Sequence, residues 1–172
     1  MEINKLSTCC FIGHRKIDIT DDLINRLERI IENLITDKNI NTFLFGSKSE
    51  FNWLCLKIVT NLRKKYPYIK RIYVRDEFPY IDENYKAYLL ESYEDTYYPE
   101  RIKNSGRAAY IERNYEMVDN SVCCVIYYSE GYMPCRRKNS SSEVVGYQPE
   151  SGTKRVYDYA EKKGVQILNV IK

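Results

Sequence analysis

The sequence predicts an α/β fold, a three-layer sandwich with a mostly parallel central sheet of about five strands. Short apolar runs that stop at glycine alternate with longer segments in which apolar residues recur every three or four positions. Strands that alternate with helices over short turns imply right-handed crossovers, and therefore parallel pairing. With 172 residues, of which 44% are hydrophobic, we expect one domain over 1–172 with a substantial core.

The first half of the chain alternates strands with amphipathic helices. Thr20 is placed to cap a helix whose apolar residues follow at helical spacing. Ser47 and Glu50 form the pattern of a capping box ahead of a second helix, which Pro67 ends. The strands predicted in this half are 7–12, 42–45 and 69–74.

The second half is less regular. Residues 76–105 are polar and rich in tyrosine, and indicate at most a short helix at 83–91. The run at 122–128 is the most apolar of the chain and predicts a buried strand. The other elements predicted here are a helix at 108–118, a helix opened by Gly152 and Thr153, and a closing strand at 165–171.

Charge and cysteine content exclude several classes of function. The net charge of +3 argues against a general nucleic-acid or membrane binder. A basic triplet such as 136–138 is usually solvated surface, and nucleic-acid binding through it and neighbouring tyrosines is a third alternative. Side chains of adjacent residues on a strand point to opposite faces, so the pairs Cys9-Cys10 and Cys123-Cys124 predict neither a disulfide nor a metal site. We therefore expect a reduced, cytoplasmic protein with no cofactor and no metal.

Ligands of parallel α/β sheets bind beyond the carboxyl ends of the strands, where the strand order reverses. Four predicted turns fall on that edge, and small residues there leave backbone N–H groups and helix N-termini facing an anion. Neither Gly-x-Gly-x-x-Gly nor a Walker loop is present, and a glycine of this kind by itself is more often part of a plain turn. The turns indicate a site as a group, because all of them fall on the same predicted edge. The candidate ligand-binding residues of this edge are Gly13, His14, Arg15, Gly46, Ser47, Ser151, Gly152, Thr153 and Lys154.

Two polar pairs add to these candidates. The guanidinium of Arg15, two residues after the strand-ending Gly13, suits phosphate or ribose oxygens. A lone histidine such as His14 more often makes a structural hydrogen bond than it acts in catalysis. Arg113 and Asn114 lie on an otherwise amphipathic helix, where they form either a solvated face or part of the site.

The motifs resemble those of a known family. Residues 10–15, Cys-Phe-Ile-Gly-His-Arg, are similar to the Phe-x-Gly-His-Arg opening of the small SLOG, or YpsA-like, proteins. Residues 113–121 resemble that family's Arg-Asn-x-x-Met-Val-Asp-x-Ser segment, and 151–153 its Gly-Gly-Thr turn. The resemblance implies a Rossmann-like fold, a homo-oligomer, and a site for a nucleotide-derived signal, an ADP-ribose derivative or a cyclic nucleotide. It also implies a role in antiphage defence or regulation, in a bacterial cell or a phage-infected host.

Two departures from the family shape the expected function. Asn52 replaces an acid of the second turn, and Val156 stands where related phosphoribohydrolases carry a glutamate that serves hydrolysis. Without that carboxylate, we expect binding without turnover, as a sensor or a sequestering sponge. The alternative is a nucleotide N-glycosidase in which Glu116, Asp119 or Glu50 substitutes for the missing acid.

Overall fold

A computed structural model describes residues 3–104, 106–132 and 151–171, in which six parallel strands form one sheet flanked by helices. This confirms the predicted α/β class and adds a strand. The strands are β1 (Thr8–Gly13), β2 (Thr42–Phe45), β3 (Lys70–Val74), β4 (Asp95–Tyr97), β5 (Cys123–Tyr127) and β6 (Gln166–Asn169). The helices are α1 (Asp21–Thr36), α2 (Glu50–Leu62), α3 (Glu83–Leu90), α4 (Arg107–Asp119) and α5 (Gly152–Lys162), after a 3-10 turn at Lys5–Ser7.

The strand order is β4-β3-β2-β1-β5-β6, so the order reverses between β1 and β5. Alternate residues of β1 face opposite layers, because successive side chains of a strand point to opposite sides. Cys9 and Phe11 pack with the apolar faces of α1, α2 and α3. Cys10 and Ile12 pack with α4 and α5. The sheet is therefore buried on both faces around β1, and the reversal beside it marks the place at which such folds bind ligands.

Two local predictions differ from the structure. Ser49, and not Ser47, caps α2, since its side chain accepts a hydrogen bond from the Asn52 amide. The Glu50 carboxylate turns to the loop after β1 and accepts from the Ile17 amide at 3.0 Å, so it completes no capping box. The strand β4 was not predicted because its three half-buried residues carry no apolar alternation, and pairing with β3 defines it.

The cysteines of β1 and β5 face each other across the strands. Cys10 Sγ lies 3.4 Å from Cys124 Sγ on one face of the sheet, and Cys9 pairs in register with Cys123. All four are free thiols, and burial raises the pKa of Cys9 and Cys124. Within the described ranges, no three His, Cys, Asp or Glu side chains cluster as metal ligands would, and no helix is long and apolar enough to cross a membrane.

Candidate functional site

His14 lies at the reversal of strand order. Its amide donates to the Tyr127 carbonyl at 3.3 Å, which extends the pairing of β1 with β5 by one residue. The Ser129 amide donates to His14 Nε2 at 3.0 Å, and the imidazole stacks on Tyr132 with ring centroids 3.7 Å apart. The side chain is thereby held between the loops that follow the two strands, and the residue is only 1% exposed.

The hydrogen bond at Nε2 determines the tautomer of His14. Because Nε2 accepts a hydrogen bond from the Ser129 amide, the neutral ring carries its own proton on Nδ1. Burial lowers the pKa of His14 to about 4, so the ring is neutral near pH 7. Its Nδ1 is buried and has no hydrogen-bond partner among the described residues. His14 therefore presents one buried N–H donor that lacks an acceptor.

Arg113 reaches the carboxyl ends of β2 and β3 from the middle of α4. It is 1% exposed, and its Nη1 donates to the Val74 carbonyl at 3.2 Å and to Asp76 Oδ1 at 3.3 Å. The space that a Cβ would take at Gly46 is filled by this guanidinium. A buried arginine requires an anion and several acceptors, and Asp76 supplies the charge here.

Asn114 completes this group. Its Oδ1 accepts a hydrogen bond from Arg113 Nε at 2.9 Å, and this assigns the amide nitrogen to the other position. Asn114 is 1% exposed, and its Nδ2 has no partner within the described part of the chain. His14 Nδ1 and Asn114 Nδ2 are thus two of the buried donors that lack acceptors among the described residues. Such groups are few in native structures and costly to leave unmatched.

The start of α5 packs on the same group. A Cβ at Gly152 would lie 2.9 Å from the Tyr110 ring, and the Arg113 Cζ lies 5.0 Å from the centroid of that ring. The Gly13 position is tighter, since a Cβ there would lie 2.3 Å from the Phe51 ring. Contacts with side chains therefore account for the glycines at positions 13, 46 and 152.

The remaining residues of the α5 N-terminus have local partners. Ser151 caps the helix, since its Oγ accepts from the Lys154 amide at 3.1 Å. The Lys154 ammonium lies 2.6 Å from Asp158 one turn along, and Thr153 is buried. The Ser151 hydroxyl and the first amides of α5 lie at the N-terminal end of the helix, where the helix dipole favours an anion.

Arg15 and Ser47 lie beside the start of α2. The Arg15 carbonyl accepts from the Glu50 amide at 3.0 Å, which orders the loop, while the Arg15 side chain is exposed. The Ser47 Oγ accepts from the Ser49 amide at 3.1 Å. Arg15 is thus a cation at the rim of the edge, and Ser47 shapes the turn.

The structure joins some predicted residues and adds others. Gly46 and Asn114 contact the guanidinium of Arg113, and Gly152 packs on the Tyr110 ring beside it. Gly13 and His14 lie at the adjacent reversal point. Sequence reasoning missed Asp76, Tyr110 and Tyr132. The rule that ligands bind beyond the carboxyl ends of the strands also identifies Asp76, because it stands two residues after β3. The basic triplet 136–138 lies outside the described residues.

The carboxylates considered for hydrolysis have other partners. Glu116 and Asp119 lie at the end of α4, which leads to the amino end of β5. Burial alone would raise the pKa of Asp119, but hydrogen bonds from Tyr159 and Arg101 lower it. Val156 is fully buried in the layer of α4 and α5, so that position does not face a ligand.

The Glu50 carboxylate is also engaged. It lies 2.5 Å from Lys16 Nζ, and this hydrogen bond together with that from the Ile17 amide lowers its pKa. A carboxylate with a lowered pKa is ionised near neutral pH and is a poor general acid.

Comparison with known proteins supports the fold. No family model and no curated protein matches this chain. Among solved structures it resembles DNA processing protein A from Helicobacter pylori, described for its single-stranded DNA binding mode, with a TM-score of 0.55 and 14% sequence identity. The match covers 95% of this chain and 64% of that protein, so this chain spans less than two thirds of its length. The fold and the likeness define a Rossmann-like α/β protein.

This comparison corrects one expectation. The net charge of +3 argues against a nucleic-acid partner, and that prediction is wrong, because a protein of similar fold binds single-stranded DNA. Net charge averages over the whole surface, whereas binding depends on where the charges lie. The resemblance to the SLOG family and the predicted homo-oligomer stay predictions.

Proposed function

We propose that the carboxyl edge of the sheet binds a nucleotide or a nucleotide-derived signalling molecule without turnover, as a sensor or a sequestering protein. The observation that carries this proposal is the pair of buried donors, His14 Nδ1 and Asn114 Nδ2, which have no acceptor among the described residues. Oxygen acceptors of a ribose, a base or a phosphate would satisfy both groups and remove the free-energy cost of leaving them unmatched.

The surrounding groups suit the same ligand. The exposed Arg15 side chain stands at the rim beside His14, where it can reach a phosphate. The capped N-terminus of α5 supplies a dipole that favours negative charge. The similarity of 10–15 and 113–121 to SLOG motifs supports an ADP-ribose derivative or a cyclic nucleotide as the ligand class.

Absence of turnover is supported by the placement of the acids. Val156 is buried where the related hydrolases carry their glutamate, and the carboxylates of Glu50 and Asp119 are held in ion pairs. Among the described carboxylates, only that of Asp76 accepts a hydrogen bond from the Arg113 guanidinium, and it serves there as the counter-ion.

The first experiment is mass spectrometry of any small molecule that denaturation releases from the purified protein, followed by thermal-shift screening of nucleotides. Asn114→Asp keeps the size of the side chain and the acceptor for Arg113, but replaces the unmatched donor with an acceptor. We expect an intact ligand, and stabilisation by it that is lost in Asn114→Asp and weakened in Arg15→Ala.

A matched control is Lys38→Ala, which removes an exposed cation between α1 and β2, at the opposite edge of the sheet. Its thermal shift with the ligand should equal that of the wild type. Cleavage of the ligand during incubation would show the N-glycosidase alternative, whereas no released molecule and no stabilisation by any nucleotide would overturn the proposal.

A second candidate function is the binding of single-stranded nucleic acid. It is supported by the structural likeness to DNA processing protein A, which binds single-stranded DNA. A nucleotide within a strand offers the same phosphate, sugar and base acceptors as a free nucleotide. Competition separates the two functions, because a free mononucleotide displaces an oligonucleotide only if both use the same site.

A further inference from the structure

The solvent-facing side of α2 carries an exposed tryptophan, and two lysines follow it along the helix and in the turn after it. Trp53 is 59% exposed, although large aromatic side chains are usually buried. Lys57 lies one turn further along, with its Nζ 5.4 Å from the centroid of the Trp53 ring. Lys64 follows in the turn after the helix and is exposed. We call Trp53, Lys57 and Lys64 the α2 face.

The charge of this region is one-sided. Between Glu50 and Asp76 the sequence has no acidic residue and seven lysines and arginines. Glu32 and Glu94, from other elements, pair with several of these cations. Neither glutamate is paired with Lys57, and none of the described carboxylates forms an ion pair with it.

A planar ring beside cations is the arrangement with which proteins bind single strands. Bases stack on aromatic side chains irrespective of sequence, while cations follow the phosphates. From Trp53 to Lys64 the helical rise of eleven residues spans about 16 Å, which is room for several nucleotides. In a duplex the bases are already stacked on one another and cannot reach the ring.

We propose that the α2 face binds single-stranded nucleic acid, with a base stacked on Trp53 and with Lys57 and Lys64 facing phosphates. The proposal rests on the second candidate function and places its contacts outside the group around Arg113. The α2 face begins next to the carboxyl edge of the sheet, since the Glu50 carboxylate one turn before Trp53 bonds to Lys16 in the loop after β1. A strand on α2 can therefore continue toward that edge.

The test uses the unique tryptophan as a probe. Trp53 is the one tryptophan of the chain, so its fluorescence can be excited selectively despite the 17 tyrosines. Unlabelled oligo(dT) and oligo(rU) should quench it on binding, and a duplex of equal length should do so far less. The affinity of labelled strands is measured in parallel by fluorescence anisotropy, which does not depend on the tryptophan.

Substitutions then separate stacking from charge. Trp53→Ala should weaken single-strand binding about 10- to 100-fold, and Trp53→Phe should retain most of it. Lys57→Gln should weaken all sequences alike and reduce the dependence of log K on log salt by about 0.7. Both side chains are exposed, and circular dichroism checks that the variants stay folded.

Tyr88→Ala is the matched control. Tyr88 is 64% exposed on α3, close to the exposure of Trp53, but has Glu83 and Glu91 on the same short helix and its end. Its substitution should leave the affinity unchanged. Unaltered binding by Trp53→Ala, or binding of the duplex as tight as that of single strands, would overturn this proposal and leave the second candidate standing. Failure of every oligonucleotide to bind would overturn both.

Discussion

The guanidinium of Arg113 lies against the Cα of Gly46, so closely that a Cβ at residue 46 would be 2.6 Å from its Nη1. The absence of a side chain at Gly46 is thus what lets a buried cation reach the ends of β2 and β3. The predicted turn and the predicted polar pair are two halves of one contact.

Gly46→Ala should destabilise the fold. The added methyl group would lie 2.6 Å from Cδ and Nη1 of Arg113, and a hydrogen bond to the Val74 carbonyl holds that Nη1 in place. Overpacking of this kind costs about 1–3 kcal/mol. Urea unfolding followed by circular dichroism measures the change. Gly131→Ala is the control, since no atom of the described residues lies within 4 Å of its Cβ position. Equal stability of both variants would show that Arg113 moves aside freely.

Asp76→Asn should cost about 3 kcal/mol, because it leaves the buried Arg113 guanidinium without an anion. The two side chains are 1% and 18% exposed, so water replaces little of the lost interaction. The comparison is Glu77→Gln, whose carboxylate is 60% exposed beside Lys48 and whose loss should cost less than about 1 kcal/mol. Both values come from urea denaturation at pH 7.

Stability should fall as the pH drops from about 6.5 toward 4 because of His14. The pKa of His14 is about 4 in the folded protein, against the ordinary 6.5, so in this range the unfolded chain binds more protons. The decrease in the free energy of unfolding approaches about 3 kcal/mol and stays constant below pH 4. Denaturation at a series of pH values measures it.

His14→Gln serves as the reference for that profile. Its Oε1 can accept from the Ser129 amide as His14 Nε2 does, but it does not titrate. The difference in stability between wild type and variant should therefore change with pH only in this window. A stability difference that does not change with pH would show that His14 stays hydrated in the folded protein and that its pKa is not lowered.

Phe78→Gly should be more stable than Phe78→Ala by about 1 kcal/mol. The φ of Phe78 is +55°, in the left-handed region that glycine adopts without strain. The ring is 61% exposed, so both variants lose little burial. Thermal unfolding of the two variants checks this. Equal melting temperatures would mean that the loop relaxes away from the positive φ.

Local patterns predicted the elements whose own residues determine them. The apolar run at 42–45 coincides with β2, and Thr20 caps α1, because strand burial and helix capping depend on neighbouring residues. The edge strand β4 has no such pattern, since Asp95, Thr96 and Tyr97 become a strand only by pairing with β3. Likewise, Ser47 and Ser49 both fit a cap by type, and the geometry of the turn selects Ser49.

The sequence by itself determined the α/β class, the parallel sheet and the edge on which polar turns gather. The spacing of apolar residues and the glycines and prolines that end elements are local properties of the chain. Only the tertiary structure decided how the polar residues pair. Arg113 meets Asp76 across 37 positions and Ser129 meets His14 across 115. Contacts over such separations depend on strand order and on burial, which also leave the donors of His14 and Asn114 without acceptors.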